Sequence, residues 1–218
     1  IEKEATTRSV SKLNFIDLCS GAGGIGIGYK QAGYEHVLSA DFDTGVAKTF
    51  RHNNKNVPFI EGDLSNKSIF ENVKNVVGKK EIDIIVGGPP CQGFSMFGKR
   101  RFVKSQSHNP HDDIRNDLIF TYLKYVEEFN PKWFMMENVA GLVNLADGYF
   151  LENFIEKVKE LGYNNYDYKI INTADYGVPQ KRKRFIFLAN RTGNIIPWPK
   201  PKFYAKPEDW EKPYRTIN

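Results

Sequence analysis

The chain contains little cysteine: only Cys19 and Cys91 occur among its 218 residues. Two cysteines are too few for a disulfide framework, and both lie in glycine-rich or proline-rich surroundings, which favours a reducing, cytoplasmic setting. Metal ligands are also scarce. The closest histidine pair, His108 and His111, has no second ligand cluster that could complete a site, so we predict no bound metal.

Long apolar runs are missing as well. No segment reaches the roughly 18 to 20 apolar residues needed to cross a bilayer, so we predict no membrane partner. The first residues are polar and charged, which predicts no secretory signal. The remaining composition, 40% hydrophobic and 26% charged, is that of one globular domain. A formal charge of +5 favours a polyanionic partner without establishing one.

Short apolar segments alternate with amphipathic ones over residues 13–190. This pattern predicts an α/β domain with a doubly wound, mostly parallel sheet that is covered on both faces. Residues 1–12 are predicted as an N-terminal extension, and residues 191–218 as a proline-rich tail or linker without regular structure. The predicted strands are 13–18, 36–40, 57–60, 82–86, 133–136, 166–172 and 184–189, and the predicted helices are 24–32, 44–52, 68–77, 116–129 and 149–161.

A glycine-rich loop follows the first predicted strand. Gly21, Gly23 and Gly26 fit the pattern G-x-G-x-x-G, in which glycines let the backbone turn sharply against a ligand. Asp41 ends the second predicted strand, where a carboxylate can accept hydrogen bonds from ribose hydroxyls. The pattern indicates an adenosine-containing ligand, but does not separate a dinucleotide from S-adenosylmethionine. A glycine-rich turn without a ligand is the simpler alternative.

Two side chains near this loop have two interpretations each. Phe42 follows Asp41 and either stacks on an adenine or belongs to the core. Asp63 follows the third predicted strand and either accepts a hydrogen bond from an adenine amino group or caps a helix.

A second loop carries the remaining cysteine. Cys91 follows Pro89 and Pro90, directly after the apolar fourth strand. Ligands of open α/β sheets bind beyond the carboxyl ends of the strands, and successive prolines hold the backbone rigid. Since a thiolate is strongly nucleophilic, we predict that Cys91 is a nucleophile rather than a structural residue.

Charged residues end two further strands. Glu137 follows four apolar residues at the predicted end of the fifth strand, next to the fourth in the common doubly wound order. Apolar surroundings would favour a protonated carboxyl, which suits proton donation. Arg182 and Arg184 alternate along the last strand and are predicted to face one cleft, where guanidinium groups bind phosphate, carboxylate or a base carbonyl. A solvated basic edge is the alternative.

Taken together, these motifs resemble the DNA cytosine-5 methyltransferase family of bacterial restriction-modification systems. The resemblance covers residues 13–189 and rests on the loop from Phe15 to Gly24, on Pro89 to Gln92, on Glu137 to Val139 and on Gln180 to Arg184. It implies a Rossmann-like fold that binds S-adenosylmethionine and acts on double-stranded DNA. The cofactor-binding residues implied are Phe15, Asp17, Gly21, Gly23, Gly24, Asp41, Phe42, Asp63, Leu64, Pro89 and Leu118.

The resemblance also implies the chemistry. The thiolate of Cys91 adds to carbon 6 of a flipped cytosine, and carbon 5 then accepts the methyl group. Glu137 binds the ring nitrogen and amino group of the base, Arg184 contacts its carbonyl, and Arg182 helps to hold Cys91, base or phosphate. Segment 94–115 resembles a mobile active-site loop. The DNA-binding residues implied are Gln92, Ser95, Lys99, Arg100 and Arg101.

The sequence departs from the family pattern after the last strand, because the recognition region and the final cofactor motif are missing. Either a C-terminal region or a separate polypeptide is expected to supply them. A transfer RNA cytosine-5 methyltransferase shares most of these motifs and remains an alternative, as does a catalytically incomplete subunit that needs a second chain. A regulatory module would not need Cys91 and Glu137. A dinucleotide oxidoreductase would leave Cys91, Glu137 and the arginine pair unexplained.

Overall fold

The computed structural model describes residues 12–90, 117–206, 208 and 211–216. Several predictions concern residues outside these ranges: the predicted nucleophile Cys91, the predicted active-site loop 94–115, and His108 and His111, for which no metal site was predicted. The implied DNA-binding residues Gln92, Ser95, Lys99, Arg100 and Arg101 also lie outside the described ranges.

Seven strands form one sheet in the order β3-β2-β1-β4-β5-β7-β6. Strands β1 to β5 are mutually parallel, which confirms the doubly wound, mostly parallel fold. The strands are β1 (Asn14–Leu18), β2 (Glu35–Asp41), β3 (Phe59–Glu61), β4 (Ile84–Gly87), β5 (Trp133–Val139), β6 (Asn165–Asn172) and β7 (Lys183–Asn190).

Within the described ranges, five α-helices connect these strands close to their predicted positions. Asp43 caps the second helix and Asn66 the third, each by accepting from backbone N–H groups of the first turn. The helices are α1 (Gly24–Gln31), α2 (Thr44–Asn53), α3 (Lys67–Val77), α4 (Asp117–Phe129) and α5 (Tyr149–Glu160), and short 3₁₀ turns span Ala140–Gly148 and Thr173–Tyr176.

The last two strands break the parallel pattern. β7 lies between β5 and β6 and runs antiparallel to both. Its buried residues Phe185 and Phe187 stack against the aromatic rings of neighbouring strands. Because β7 reverses direction, its amino-terminal end lies at the same edge of the sheet as the carboxyl ends of β4 and β5.

The helices pack on both faces of the sheet. The larger core, under α3, α4 and α5, is built on Phe134 and Phe187. On the other face, α1 packs Tyr29 against Phe15, while α2 packs Phe50 near the same layer. Helices on both faces confirm the predicted covering of the sheet, although Trp133 and Met135 on β5 are only half-buried.

Two boundaries differ from the predictions in ways that affect the site. β5 continues to Val139, so Glu137 lies within the strand rather than at its end. The tail was expected to lack regular structure, but it forms two short parallel strands, β8 (Phe203–Tyr204) and β9 (Lys212–Pro213). Its described residues also pack on the main domain: Trp198 Nε1 donates to Asp167 Oδ2 at 2.6 Å. No helix among the described residues is long and apolar enough to cross a membrane.

Candidate active site

A cavity of about 290 Å³ lies at the carboxyl edge of β1, β2 and β3. Its walls come from the loops that follow these strands, from Pro90 after β4 and from the start of α4. This volume is near the lower end of the range for small-molecule sites. The residues that line it are Cys19, Asp41, Phe42, Gly62, Asp63, Leu64, Pro90 and Leu118.

The glycine loop turns through a backbone conformation that favours glycine. Gly21 and Gly23 have φ angles of 54° and 94°. Asp41 holds this turn, because its Oδ2 accepts from the Gly21 N–H at 2.8 Å while its Oδ1 accepts from the Asp43 N–H at 3.0 Å. A carboxylate has about four acceptor positions, so Asp41 can also accept from a ligand hydroxyl. Gly24 begins α1 and is exposed.

The structure separates the two interpretations of Phe42 and of Asp63. Phe42 is 61% exposed at the cavity and is therefore not a core residue. Asp63 does not cap α3, whose N-cap is Asn66. Instead, its Oδ1 accepts from the backbone N–H of Ser65 at 2.9 Å, which fixes the carboxylate at the cavity wall.

Cys19 was not predicted as a binding residue, yet it lines the cavity. It directly follows β1 with a φ angle of 55°, which is uncommon for a residue other than glycine. Burial raises the pKa of its thiol, and the nearby carboxylates of Asp41 and Asp17 raise it further. Cys19 is therefore a neutral wall residue and no nucleophile. Its position directly after an apolar strand is the sequence feature that could have predicted its place in the cavity wall.

Six predicted ligand residues do not line the cavity: Phe15, Asp17, Gly21, Gly23, Gly24 and Pro89. Phe15 is fully buried and stacks on His36 at 4.3 Å between ring centroids. Asp17 is also fully buried, and its Oδ2 accepts from the Gly26 N–H at 3.1 Å. Both side chains lie on the α1 face of β1, below the loop, so they support the site from beneath. Pro90, rather than the predicted Pro89, lines the cavity.

The second part of the site joins β5 to β7. Arg184 Nε and Glu137 Oε1 form an ion pair at 2.7 Å, with both side chains largely shielded from solvent. Glu137 therefore has a charged partner, although its neighbours in the sequence suggested purely apolar surroundings. The antiparallel register places Arg184 opposite Val139, two residues beyond Glu137.

This ion pair lies beside the backbone that leads to Cys91. A Cβ atom at Gly88 would come within 3.1 Å of Glu137 Oε2, so the carboxylate packs against the chain there. Asn138 Nδ2 donates to the Pro89 carbonyl at 3.2 Å and ties the same segment to β5. The structure thus brings Glu137, Arg184 and the approach to Cys91 together, next to the cavity at Pro90.

Arg182 lies one residue before β7, and its side chain is exposed. Its backbone N–H donates to Asn172 Oδ1 at 3.1 Å. The Asn172 amide also donates to Asp175 Oδ1, which accepts from the Tyr214 hydroxyl at 2.6 Å. The tail therefore helps to fix the backbone that leads into β7. Arg182 lies outside the strand, where side chains need not alternate between the two faces of the sheet. Strand geometry therefore does not support the prediction that Arg182 and Arg184 face one cleft.

Known proteins are similar to this chain in sequence. The chain is 37% identical over 191 residues to the type II methyltransferase M1.HphI of Haemophilus parahaemolyticus, which covers 87% of this chain and 49% of that protein. It is 36% identical over 220 residues to M.AquIA of Picosynechococcus sp., which covers 93% of this chain and 85% of that protein. The chain thus spans about half of one relative and most of the other.

Solved structures show the same fold. An E. coli prophage protein described as a DNA modification methyltransferase matches with a TM-score of 0.65 and 29% identity, over 82% of this chain and 47% of that one. A DNMT2 variant from Spodoptera frugiperda matches with a TM-score of 0.62 and 23% identity, over 93% and 57%, and supports the fold alone. The family model for C-5 cytosine-specific DNA methylases matches residues 13–217, and the chain belongs to that family.

Proposed function

We propose that this chain is the catalytic domain of a DNA cytosine-5 methyltransferase, with Cys91 as its nucleophile. The observation that carries the proposal is the Glu137–Arg184 ion pair beside the Gly88–Pro90 backbone, adjacent to the cavity. An acidic and a basic side chain therefore lie beside the backbone that leads toward Cys91, which supports the proposal. The family match supports the same reaction.

The cavity residues fit S-adenosylmethionine. Exposed Phe42 offers a ring face for the adenine, Asp63 offers an acceptor for its amino group, and Asp41 offers one for the ribose. Gly21 and Gly23 allow the backbone to approach closely, while Cys19, Leu64, Pro90 and Leu118 complete the wall. When bound, the cofactor supplies the methyl group.

In the proposed reaction, the thiolate of Cys91 forms a bond to carbon 6 of cytosine, which makes carbon 5 electron-rich. Glu137 holds the ring nitrogen and amino group of the base, and Arg184 fixes the Glu137 carboxylate and faces the base carbonyl. After methylation, loss of the carbon 5 proton expels Cys91 and restores the ring. Arg182, one residue before β7, helps to hold Cys91, base or phosphate. Because the ring is inaccessible within a stack, the base must be flipped out.

In the proposed enzyme, a recognition region identifies the target DNA sequence. The chain covers only 49% of M1.HphI but 85% of M.AquIA. Relatives of both lengths are compatible with recognition by a C-terminal region or by a separate polypeptide. The packed tail, held by Trp198 and Tyr214, is where we expect such a region to join.

The test is covalent trapping. The full-length protein is incubated with S-adenosylmethionine and duplex DNA carrying 5-fluorocytosine, whose fluorine cannot leave as a proton does. We expect an adduct that survives a denaturing gel and disappears in Cys91→Ser. Matched RNA carrying 5-fluorocytosine is the second arm. An adduct on RNA alone would support the transfer RNA alternative, and no adduct on either substrate would contradict the catalytic proposal.

Cofactor binding has its own test. We expect Phe42→Ala to weaken the binding of S-adenosylhomocysteine by about tenfold or more, because stacking on an aromatic ring contributes about 1–3 kcal/mol per base. Calorimetric titration measures the change. The matched control is Ile195→Ala, which removes a hydrophobic side chain that is 90% exposed outside the cavity. Equal affinities for the two variants would exclude Phe42 as the adenine platform.

A further inference from the structure

A group of polar residues is buried beneath the glycine loop, on the α1 face of the sheet. Asp17 lies on β1, and His36 and Ser39 lie on β2, with exposed fractions of 0%, 7% and 0%. The register places Ser39 opposite Asp17, and His36 Nε2 lies 2.9 Å from Ser39 Oγ. The reaction proposed above uses none of these side chains.

The group packs directly against Gly26 in the first turn of α1, which follows the glycine loop. A Cβ atom at Gly26 would lie 2.6 Å from His36 Cε1, 3.2 Å from His36 Nδ1 and 3.3 Å from Asp17 Oδ2. Asp17 and His36 therefore approach the same point, where α1 begins its first turn. Only glycine leaves room for both side chains at this position.

Neither residue has the partners that a buried charge requires. Among the described residues, Asp17 Oδ1 and His36 Nδ1 are buried without a hydrogen-bond partner. An ionised Asp17 would have one oxygen bonded to a single N–H and the other bonded to nothing, at great energetic cost. A protonated His36 would likewise leave a buried N–H unsatisfied. No hydrogen bond joins the two, so they do not form an ion pair.

We propose that Asp17 is a neutral carboxylic acid in the folded protein and, with neutral His36, forms an uncharged support that holds the glycine loop in its ligand-binding conformation. Asp17 is thus a positioning residue, although its place in the motif suggested a ligand. The part of this inference that concerns the cofactor rests on the proposed function. The part that concerns protonation and stability does not.

The surrounding charges agree with this state. Burial raises the pKa of Asp17 from 3.8 to about 8, against the lowering effect of the Gly26 N–H, and Asp41 raises it further. Burial lowers the pKa of His36 from 6.5 to about 4, and Lys30 on α1 adds to the effect. The other titratable groups that interact with Asp17 are Cys19, Tyr29 on α1 and Tyr122 on α4, which are all uncharged at neutral pH.

The sign of the pH dependence follows. The folded pKa of Asp17 lies above its unfolded value, so folding retains a proton that the unfolded chain releases, and stability falls as pH rises toward 8. His36 has the opposite sign and acts below its unfolded pKa of 6.5. Between pH 6.5 and 8, the effect of Asp17 on the pH dependence of stability can therefore be measured separately from that of His36.

The experiment compares Asp17→Asn, which preserves the shape and acceptor of a neutral acid, with Asp17→Leu, which keeps a similar branched shape but removes the acceptor. Denaturant unfolding is measured from pH 6.5 to 8. We expect Asp17→Asn to fold, and the ratio of its folding constant to that of the unmodified chain to rise by up to about tenfold per pH unit. A ratio that stays constant over this window would overturn the proposal.

Two further readouts complete the test. Carbon-13 NMR titration of the aspartate carboxyls in the unmodified chain gives the Asp17 pKa without any substitution, and a value below 5 would refute the neutral acid. Calorimetry with S-adenosylhomocysteine should show that Asp17→Asn binds as the unmodified chain does at pH 7 and binds better above pH 8. A pH-independent affinity difference between the two chains would exclude the positioning role. If neither chain binds while the NMR pKa is near 8, the proposed function fails and the neutral acid stands.

Discussion

Glu137→Gln is expected to reduce the rate of DNA methylation by about 10²- to 10⁴-fold, the usual contribution of a positioned acid or base. The amide retains the size of the side chain but loses its charge, so Arg184 loses its 2.7 Å ion-pair partner. The amide also cannot exchange a proton with the base, as a carboxyl group can. Single-turnover rates in the full-length protein measure the effect on chemistry separately from product release.

The control is Glu156→Gln, which makes the same chemical change on an exposed position of α5. It should leave the rate unchanged. Arg184→Met and the double variant complete a thermodynamic cycle. If Glu137 acts only by holding Arg184, the two single variants and the double variant lower the methylation rate by the same factor. If Glu137 also acts on the base, Glu137→Gln lowers the rate by a larger factor than Arg184→Met does. A full rate in Glu137→Gln would remove this residue from the mechanism.

Gly87→Ala is expected to cost about 3 kcal/mol of unfolding free energy, at the upper end of the usual cost of overpacking. A Cβ atom at Gly87 would lie 2.3 Å from the Leu18 carbonyl oxygen and 3.0 Å from the Tyr122 ring. The first contact is with backbone in the neighbouring strand, which cannot turn aside as a side chain can. Relief of the clash must therefore separate β4 from β1 at the edge that carries the site.

Chemical denaturation measures this loss, and Gly28→Ala is its control. Gly28 lies in α1, is exposed, and has no atom near its Cβ position within 4 Å. Alanine there should stabilise the helix by about 0.5–1 kcal/mol. The two substitutions are chemically identical, so opposite signs would show that close strand packing, rather than the loss of a glycine, is responsible. Equal effects would contradict this explanation.

The sequence predicted the order of elements and the edge of the sheet that carries the site. Strand and helix periodicity is local, so the ends of most elements fell within two residues of those observed. It also identified Asp41, Phe42 and Asp63 as residues near the cavity, because each lies at the end of a strand or within two residues of it. Position along the chain was sufficient for these residues.

Side-chain direction and strand direction were harder to predict. Phe15 and Asp17 alternate with Ile16 and Leu18 in a strand that is buried on both faces, so the pattern could not show which side meets a ligand. Cys19 was missed because its left-handed backbone turns it into the cavity. The ion pair between Glu137 and Arg184 depends on the antiparallel placement of β7, a long-range choice that no local pattern specifies.

The place of β7 between β5 and β6 also has a consequence for biosynthesis. A ribosome makes β6 before β7, so a nascent chain that ends before Lys183 holds both neighbouring strands without the one that joins them. In that state the hydrogen-bonding edge of β5 is open, and Phe134 lacks its stacked partner Phe187. Unpaired edges and exposed aromatic side chains promote aggregation. The interval between the synthesis of β6 and that of β7 is therefore when the emerging polypeptide most needs chaperone protection.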